Sequence, residues 1–299
     1  MSFSEKTKNE LARLIPEARC CKIAELSAFY DFNGFLLGNN NYQYLDFYHS
    51  SPVVARKILL LLKGLVADIK TQVLVKRTKA KNHMCTVRVL DLVEAQFVYS
   101  LMKKRKFLDE QKRVPFFKCC RRSYLRGAFL SQGSIADPGK TYHFEISIEN
   151  TEVAARVFET MNSLLLEPKI MMRKANHVIY LKDGEKIVEV LNNMGAHNAL
   201  LKLENVRVIK DMRNQVNRLV NCETANVDKT VKAAMKQVAE IQKIEDTIGI
   251  TKLPEKLQEI ARLRLANPYA SLKELGELAD PPMSKSGVNY RMKQLLEIS

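Results

Sequence analysis

"LRGAFLSQGS", residues 125–134, has the outline of a helix that ends against a glycine. Leu125, Gly127 and Phe129 open it, Gly133 stops it, and Gln132 stands one position before that stop. Widening the window to "CCRRSYLRGAFLSQG" (119–133) reveals a counterpart 99 residues upstream, "CCKIAELSAFYDFNG" (20–34). Without a gap, Cys20, Cys21, Lys22, Leu26, Ala28, Tyr30 and Gly34 fall on Cys119, Cys120, Arg121, Leu125, Gly127, Phe129 and Gly133. Such self-similarity is the signature of an internal repeat.

The order of elements repeats as well. After the first motif come the β-rich "YQYLDFY" (42–48) and "PVVARKILLLLKGL" (52–65), which has helical spacing and Pro52 early. "TQVLVKRT" (71–78) and "MCTVRVLD" (84–91) then read as a hairpin, followed by a helix near 92–103. In the second half, "YHFEISIE" (142–149) alternates as a strand and "TEVAARVFETMNSLL" (151–165) is a helix. "KIMMRKA" and "HVIYLK" (169–182) form a hairpin, and "GEKIVEVLNNM" (184–194) a closing helix. Each half is helix, two strands, helix, two strands, helix. "VVAR" (53–56) against "VAAR" (153–156) and "NHM" (82–84) against "NHV" (176–178) extend the likeness.

This arrangement resembles the LAGLIDADG homing-endonuclease fold, in which two αββαββ halves pair through their motif helices. On the nine-letter motif, the copies are Leu26 to Gly34 and Leu125 to Gly133. Helices approach backbone to backbone where small residues four apart line the contacting face, as Gly127 and Ser131 do; in the other copy Ala28 meets this requirement and Phe32 does not. The first helix is therefore expected to depart from the tight contact. The resemblance places a carboxylate one position before each terminal glycine, where the pair would hold a divalent metal against DNA. Here those positions are Asn33 and Gln132. An amide brings no charge to offset desolvation of a divalent ion and takes no proton from water near neutral pH. Asp31, two residues from Asn33 and about 200° around the helix, is expected to face elsewhere. No catalytic residue, metal or cofactor follows from this pattern.

Lys and Arg number 48 against 33 acids, a formal net charge of +15, which suits a polyanionic partner. Residues 101–126 hold ten bases against Asp109 and Glu110, and 70–81 hold five bases and no acid. A solvated face is the plain reading of either run alone. On the fold implied, Lys76, Arg77, Lys79, Lys81, Arg88 and Arg173 flank a curved sheet that would saddle DNA. The six cysteines make no C-x-x-C spacing, and the two adjacent pairs read as small buried thiols. The five histidines lie far apart and are assigned no chemistry. No apolar run reaches the ~18–20 residues that span a bilayer, and the first residues lack a signal-peptide core. The expected location is the cytoplasm, in association with the nucleoid.

Strand signals stop after residue 205. Residues 206–250 read as helical, broken near Asn221–Asn226, and three short helices follow within 251–299. Ser271 and Glu274 form a capping box, and Ser284 caps the last helix. On that helix Val288, Met292, Leu295 and Leu296 pack inward. Lys285, Ser286, Asn289, Tyr290 and Lys293 point away, with Arg291 at the edge. These polar types reach phosphates and base edges when such a helix enters a groove; an ordinary three-helix bundle with a polar face has the same spacing.

"CCRRSYLRGAFLSQGSI" (119–135), "NRLVNCETANVDKTV" (217–231) and "ASLKELGELADPPMSKSGVNYRMKQL" (270–295) together resemble the WhiA family of bacterial regulators. The expected fold is α+β: two pseudo-symmetric αββαββ halves (1–112 and 113–205), a helical connector (206–250) and an all-α helix-turn-helix domain (251–299). The resemblance implies a non-catalytic, sequence-specific transcription regulator acting in cell division, chromosome segregation and sporulation. Its partner would be double-stranded promoter DNA, with a protein co-regulator as a further class, and neither a membrane nor a small-molecule substrate. The alternatives are an active LAGLIDADG nuclease and an RNA-binding protein.

Overall fold

The computed structural model describes all residues except 40, 41, 78–82, 104–107, 110–113, 116 and 299. The chain divides into two compact units, Met1–Ile209 and Lys210–Ser299. No helix among the described residues is long and apolar enough to cross a membrane.

The first unit opens with α1 (Phe3–Arg13), capped by Ser2. The first repeat is α2 (Arg19–Asn33), β1 (Gly34–Asn39), β2 (Tyr42–His49), α3 (Pro52–Lys63), β3 (Thr71–Arg77), β4 (His83–Val89) and α4 (Leu92–Lys103). A short ladder, β5 (Leu108–Asp109) with β6 (Val114–Pro115), precedes the second repeat. That repeat is α5 (Lys118–Gln132), β7 (Gly133–Ile135), β8 (Phe144–Ile148), α6 (Thr151–Asn162), β9 (Lys169–Arg173), β10 (Asn176–Leu181) and α7 (Gly184–Met194). The sheets have the same antiparallel order, β1-β2-β4-β3 and β7-β8-β10-β9. The repeat read from fifteen letters is thus a repeat of topology.

Strand alternation decides which face is covered. Leu45 and Phe47 of β2, and Phe144, Ile146 and Ile148 of β8, turn inward and are buried against the helices. Asn150 and Asp183 cap α6 and α7 by accepting from the first backbone amides, and Gly195, at φ 87°, ends α7 in the left-handed region. The glycines that end the motif helices work differently. Their φ values are negative, but a Cβ on Gly133 would lie 2.7 Å from the Phe129 Cα, and one on Gly34 2.5 Å from that of Tyr30. They give room for a helix to run straight into a strand.

The motif helices α2 and α5 pack side by side. A Cβ on Gly127 would fall 2.8 Å from both the Ala28 Cβ and the Glu25 carbonyl oxygen, so only glycine admits this approach. Phe32 does not open the seam there, because it lies a turn further on at the helix tip and is only partly buried. Beneath the seam Glu25 is fully buried between Lys57, at 2.7 Å, and Arg126, which donates to both carboxylate oxygens at 3.0 and 2.9 Å. Lys57 also donates to the Leu11 and Leu14 carbonyls, and Arg126 to that of Met194. Desolvation pulls the Lys57 ammonium down to about 8. Arg126, one of the ten bases counted over residues 101–126, is a core residue and not part of a solvated face.

His49 is buried too. Its Nδ1 accepts from the Ser51 amide at 2.9 Å, leaving Nε2 to donate to the Leu130 carbonyl at 3.1 Å. The cysteine pairs are not uniformly buried thiols: Cys21 and Cys120 are buried, Cys20 is half-buried, and Cys119 is exposed.

After α7 comes one continuous helix of 51 residues, α8 (His197–Thr247), where the sequence suggests a break near Asn221–Asn226. No glycine or proline interrupts it. Its polar residues bond within the helix instead, as Asn226 does to Cys222 and Thr230 to the Asn226 carbonyl.

The second unit contains α8 from Lys210 onward, a 3₁₀ turn at Ile250–Lys252, α9 (Glu255–Ala266), α10 (Leu272–Glu277) and α11 (Lys285–Ile298). Its core joins Ile241 and Ile244 of α8 to Leu257, Ile260, Leu275, Val288, Met292 and Leu295. Ile241 and Ile244 lie upstream of the residue 251 limit suggested by sequence.

Candidate nucleic-acid interface

The C-terminal tips of α2 and α5 border a small cavity of about 200 Å³. Asn33 and Gln132 line it together with Asp31, Phe32, Glu149 and Asn176. The repeat therefore brings the two amides to one place. Asp31 also lines this cavity, contrary to the expectation that its helical offset turns it away. Near a helix end, that offset aims it at the neighbouring elements α5 and α6, whose side chains bind it. Its Oδ2 accepts from the Tyr124 hydroxyl at 2.8 Å and from the Arg156 guanidinium. Burial and the Asp31 charge both hold the Tyr124 phenol well above its ordinary value. Of the remaining lining groups, Asn150 caps α6 and Asn176 donates to the Ser147 hydroxyl. The site is rich in amides, and its inner carboxylate is already matched by a cation.

The outward faces of the sheets carry fewer free bases than the sequence suggests. Arg88 lies directly across the β2–β4 ladder from Asp46 and donates to both its oxygens, at 2.8 and 2.7 Å, over the Tyr44 ring. In the second sheet Arg173 donates to Glu145 at 3.0 Å, and His143 bonds the same carboxylate. Burial works to raise the Glu145 carboxyl, but the hydrogen bonds from His143 and Arg173 outweigh it and hold it below the usual carboxylate range. Lys76 is exposed on β3, Arg77 ends that strand, and Lys79 and Lys81 lie outside the described residues. Phe35 and Leu37 stand exposed on the same face as Asp46 and Tyr44. The pairing of charges across strands was invisible in a linear count of bases.

The second unit offers a different surface. Ser271 and Glu274 make both bonds of the capping box that opens α10. Ser284 accepts from the Gly287 amide at 3.2 Å and so caps α11. Along α11, Val288, Met292 and Leu295 are buried, while Lys285, Ser286, Asn289, Tyr290 and Lys293 are exposed. Arg291 turns back to Glu259 of α9 at 3.2 Å, so it braces the helix.

Two residues the sequence reading passed over fix this geometry. A Cβ on Gly276 would lie 2.3 Å from the Met283 carbonyl oxygen, and the Met283 amide donates to the Gly276 carbonyl at 2.9 Å. Only glycine lets the turn close on α10. Arg264, 1% exposed, donates to the Ala270 carbonyl at 2.6 Å and pins the α9–α10 joint. A glycine inside a short amphipathic helix was the available signal for the first. Nothing in the sequence marks Arg264 as buried.

Three family models match in succession: the WhiA N-terminal LAGLIDADG-like domain over residues 19–102, the WhiA LAGLIDADG-like domain over 121–213, and the WhiA C-terminal HTH domain over 216–299. The chain is 47% identical over 303 residues to a protein of Desulfitobacterium hafniense described as a probable cell division protein WhiA, covering all of this chain and 96% of that one. A protein of the same description from Alkaliphilus metalliredigens is 42% identical over 310 residues, covering 100% and 98%. The crystal structure of full-length DUF199/WhiA from Thermotoga maritima superposes with a TM-score of 0.64 at 26% identity, covering 100% of this chain and 98% of that one. With its duplicated LAGLIDADG-like unit and its helix-turn-helix matched in order along the full length, the chain belongs to the WhiA family.

Proposed function

We propose that this protein is a non-catalytic, sequence-specific regulator of transcription that binds double-stranded promoter DNA in the cytoplasm, at the nucleoid. The observation that carries the reading is the state of the helix tips. Asn33 and Gln132 are neutral, and the Asp31 carboxylate is bound to Arg156 and Tyr124. In the arrangement the motif implies, a pair of carboxylates at the two helix tips holds the divalent ions and orients water; Glu149, the other acid lining the cavity, follows β8 and stands on neither motif helix. DNA reading falls to α11, whose exposed Lys285, Ser286, Asn289 and Lys293 supply both phosphate and base-edge donors. Relatives described as probable cell division proteins support a role in division; chromosome segregation and sporulation are the wider roles that the family resemblance implies.

For the sheets a second reading is favoured by a specific observation. Asp46 and Glu145 occupy the arginines that would meet phosphate, and Phe35 and Leu37 are bare. This face suits a protein co-regulator better than a DNA backbone.

The test is to incubate the full chain with a plasmid library and Mg²⁺ or Mn²⁺, then measure binding to genomic promoter fragments and to structured RNA at physiological salt. Intact plasmid with preference for particular duplex fragments is expected. Defined strand breaks would establish the nuclease, and preference for RNA would establish the RNA-binding alternative.

A further inference from the structure

The ends of α2 and α5 opposite the amide-lined cavity bring four cysteines together. Cys20 and Cys21 are the second and third residues of α2, and Cys119 and Cys120 are the second and third of α5. All four Sγ atoms lie within 4.8 Å of one another, and those of Cys119 and Cys120 are 4.0 Å apart. No other group of three or more Cys, His, Asp or Glu among the described residues converges in this way. Read along the chain, two adjacent pairs match no familiar ligand spacing. The repeat supplies what the spacing lacks, because each helix contributes half of one set.

We infer that Cys20, Cys21, Cys119 and Cys120 form a four-thiolate site for one zinc ion, clamping the N-terminal ends of the paired motif helices. Four thiolates around a tetrahedral ion, at bonds of about 2.3 Å, stand roughly 3.8 Å from one another. The observed cluster reaches that spacing through side-chain shifts of about 1 Å. Soft sulfur donors select zinc over the hard ions that carboxylates hold. The surroundings favour the charge such a site carries. Binding exchanges four thiol protons for one Zn²⁺ and leaves a net charge of two negative. Two helix N-termini point at it, and Arg19, Lys22, Lys118 and Arg121 adjoin the ligands in sequence. Cys21 and Cys120 seal the inner side, while exposed Cys119 leaves a path for the ion to enter. With all four positions taken by protein, the ion has no open place for water, so its role is a structural clamp.

The experiment uses the full chain, expressed in zinc-supplemented medium and purified under reducing conditions without a histidine tag. Mass spectrometry of the elements should find about one zinc per chain. The paired substitution Cys20→Ser with Cys119→Ser should cut occupancy about tenfold or more, while Cys222→Ser, at an exposed position on α8, should retain it. Because the paired variant can fail to fold, the zinc-free, reduced parent chain is also titrated with zinc. Zinc should raise its Tm and protect the accessible ligands Cys20 and Cys119 from a thiol reagent, while exposed Cys222 stays reactive. Cobalt should give the visible absorption of a tetrahedral thiolate complex. Absence of metal, iron or copper in place of zinc, unprotected thiols, or a mass lowered by the hydrogens of disulfides would each overturn the assignment.

Discussion

Asp31 is the carboxylate of α2 that lines the cavity at the helix tips. Its charge, 8% exposed, is answered by Arg156 and Tyr124. Removing it leaves a partly buried guanidinium unpaired, so Asp31→Asn should cost about 3 kcal/mol in urea unfolding. A loss below about 1 kcal/mol would show that the pair holds little. Glu145 gives a prediction in pH. Its carboxyl titrates below the ordinary 4.5 in the folded chain, so the unfolded chain takes up its proton first as the solution is acidified. The stability it contributes is complete above pH 4.5 and is lost as pH falls through the folded value. The parent chain should therefore lose more Tm than Glu145→Gln between neutral pH and pH 3. Parallel curves would refute this. Neither pairing could be read from sequence, because both depend on which side chains the strands and helices bring opposite one another.

Among the elements, α11 should carry base discrimination. Ser286→Ala and Asn289→Ala are expected to cost about 1–3 kcal/mol each against a preferred promoter fragment while leaving non-specific binding nearly unchanged. Lys285→Ala and Lys293→Ala should weaken both kinds of binding and flatten the slope of log K against log salt by about 1 each. Equal effects of all four on specific and non-specific DNA would move base reading to another element. Much of this helix was legible: the inward stripe, its Ser284 cap and the exposed polar residues all follow from helical spacing. Arg291 was not, because its partner Glu259 sits 32 residues away on α9. The break expected in α8 failed for a related reason. Asn and Thr disfavour helices weakly, and without glycine or proline they only decorate one.

Across the first unit as a whole, the buried set of Glu25, Lys57 and Arg126 ties α1, α2, α3, α5 and the end of α7 together. Glu25→Leu alone strands two cations and should cost about 3–5 kcal/mol. Replacing all three by Leu, Met and Met should restore most of that stability, measured by chemical denaturation. If the triple variant is as unstable as the single one, the charges themselves are required. The duplicated topology was readable from the ungapped match of 20–34 to 119–133, since close helix contacts and sharp exits demand small residues at fixed places. The charge network was not, as Lys57 sits within an apolar helix and Arg126 within a basic run. The Gly127–Ala28 contact carries one more consequence. A seam that admits no extra atom is also a recognition surface, so severing the polypeptide between α4 and α5 should yield two fragments that find each other. Co-expressed, they should co-purify as a one-to-one pair, and Gly127→Leu in the second fragment should abolish the reunion.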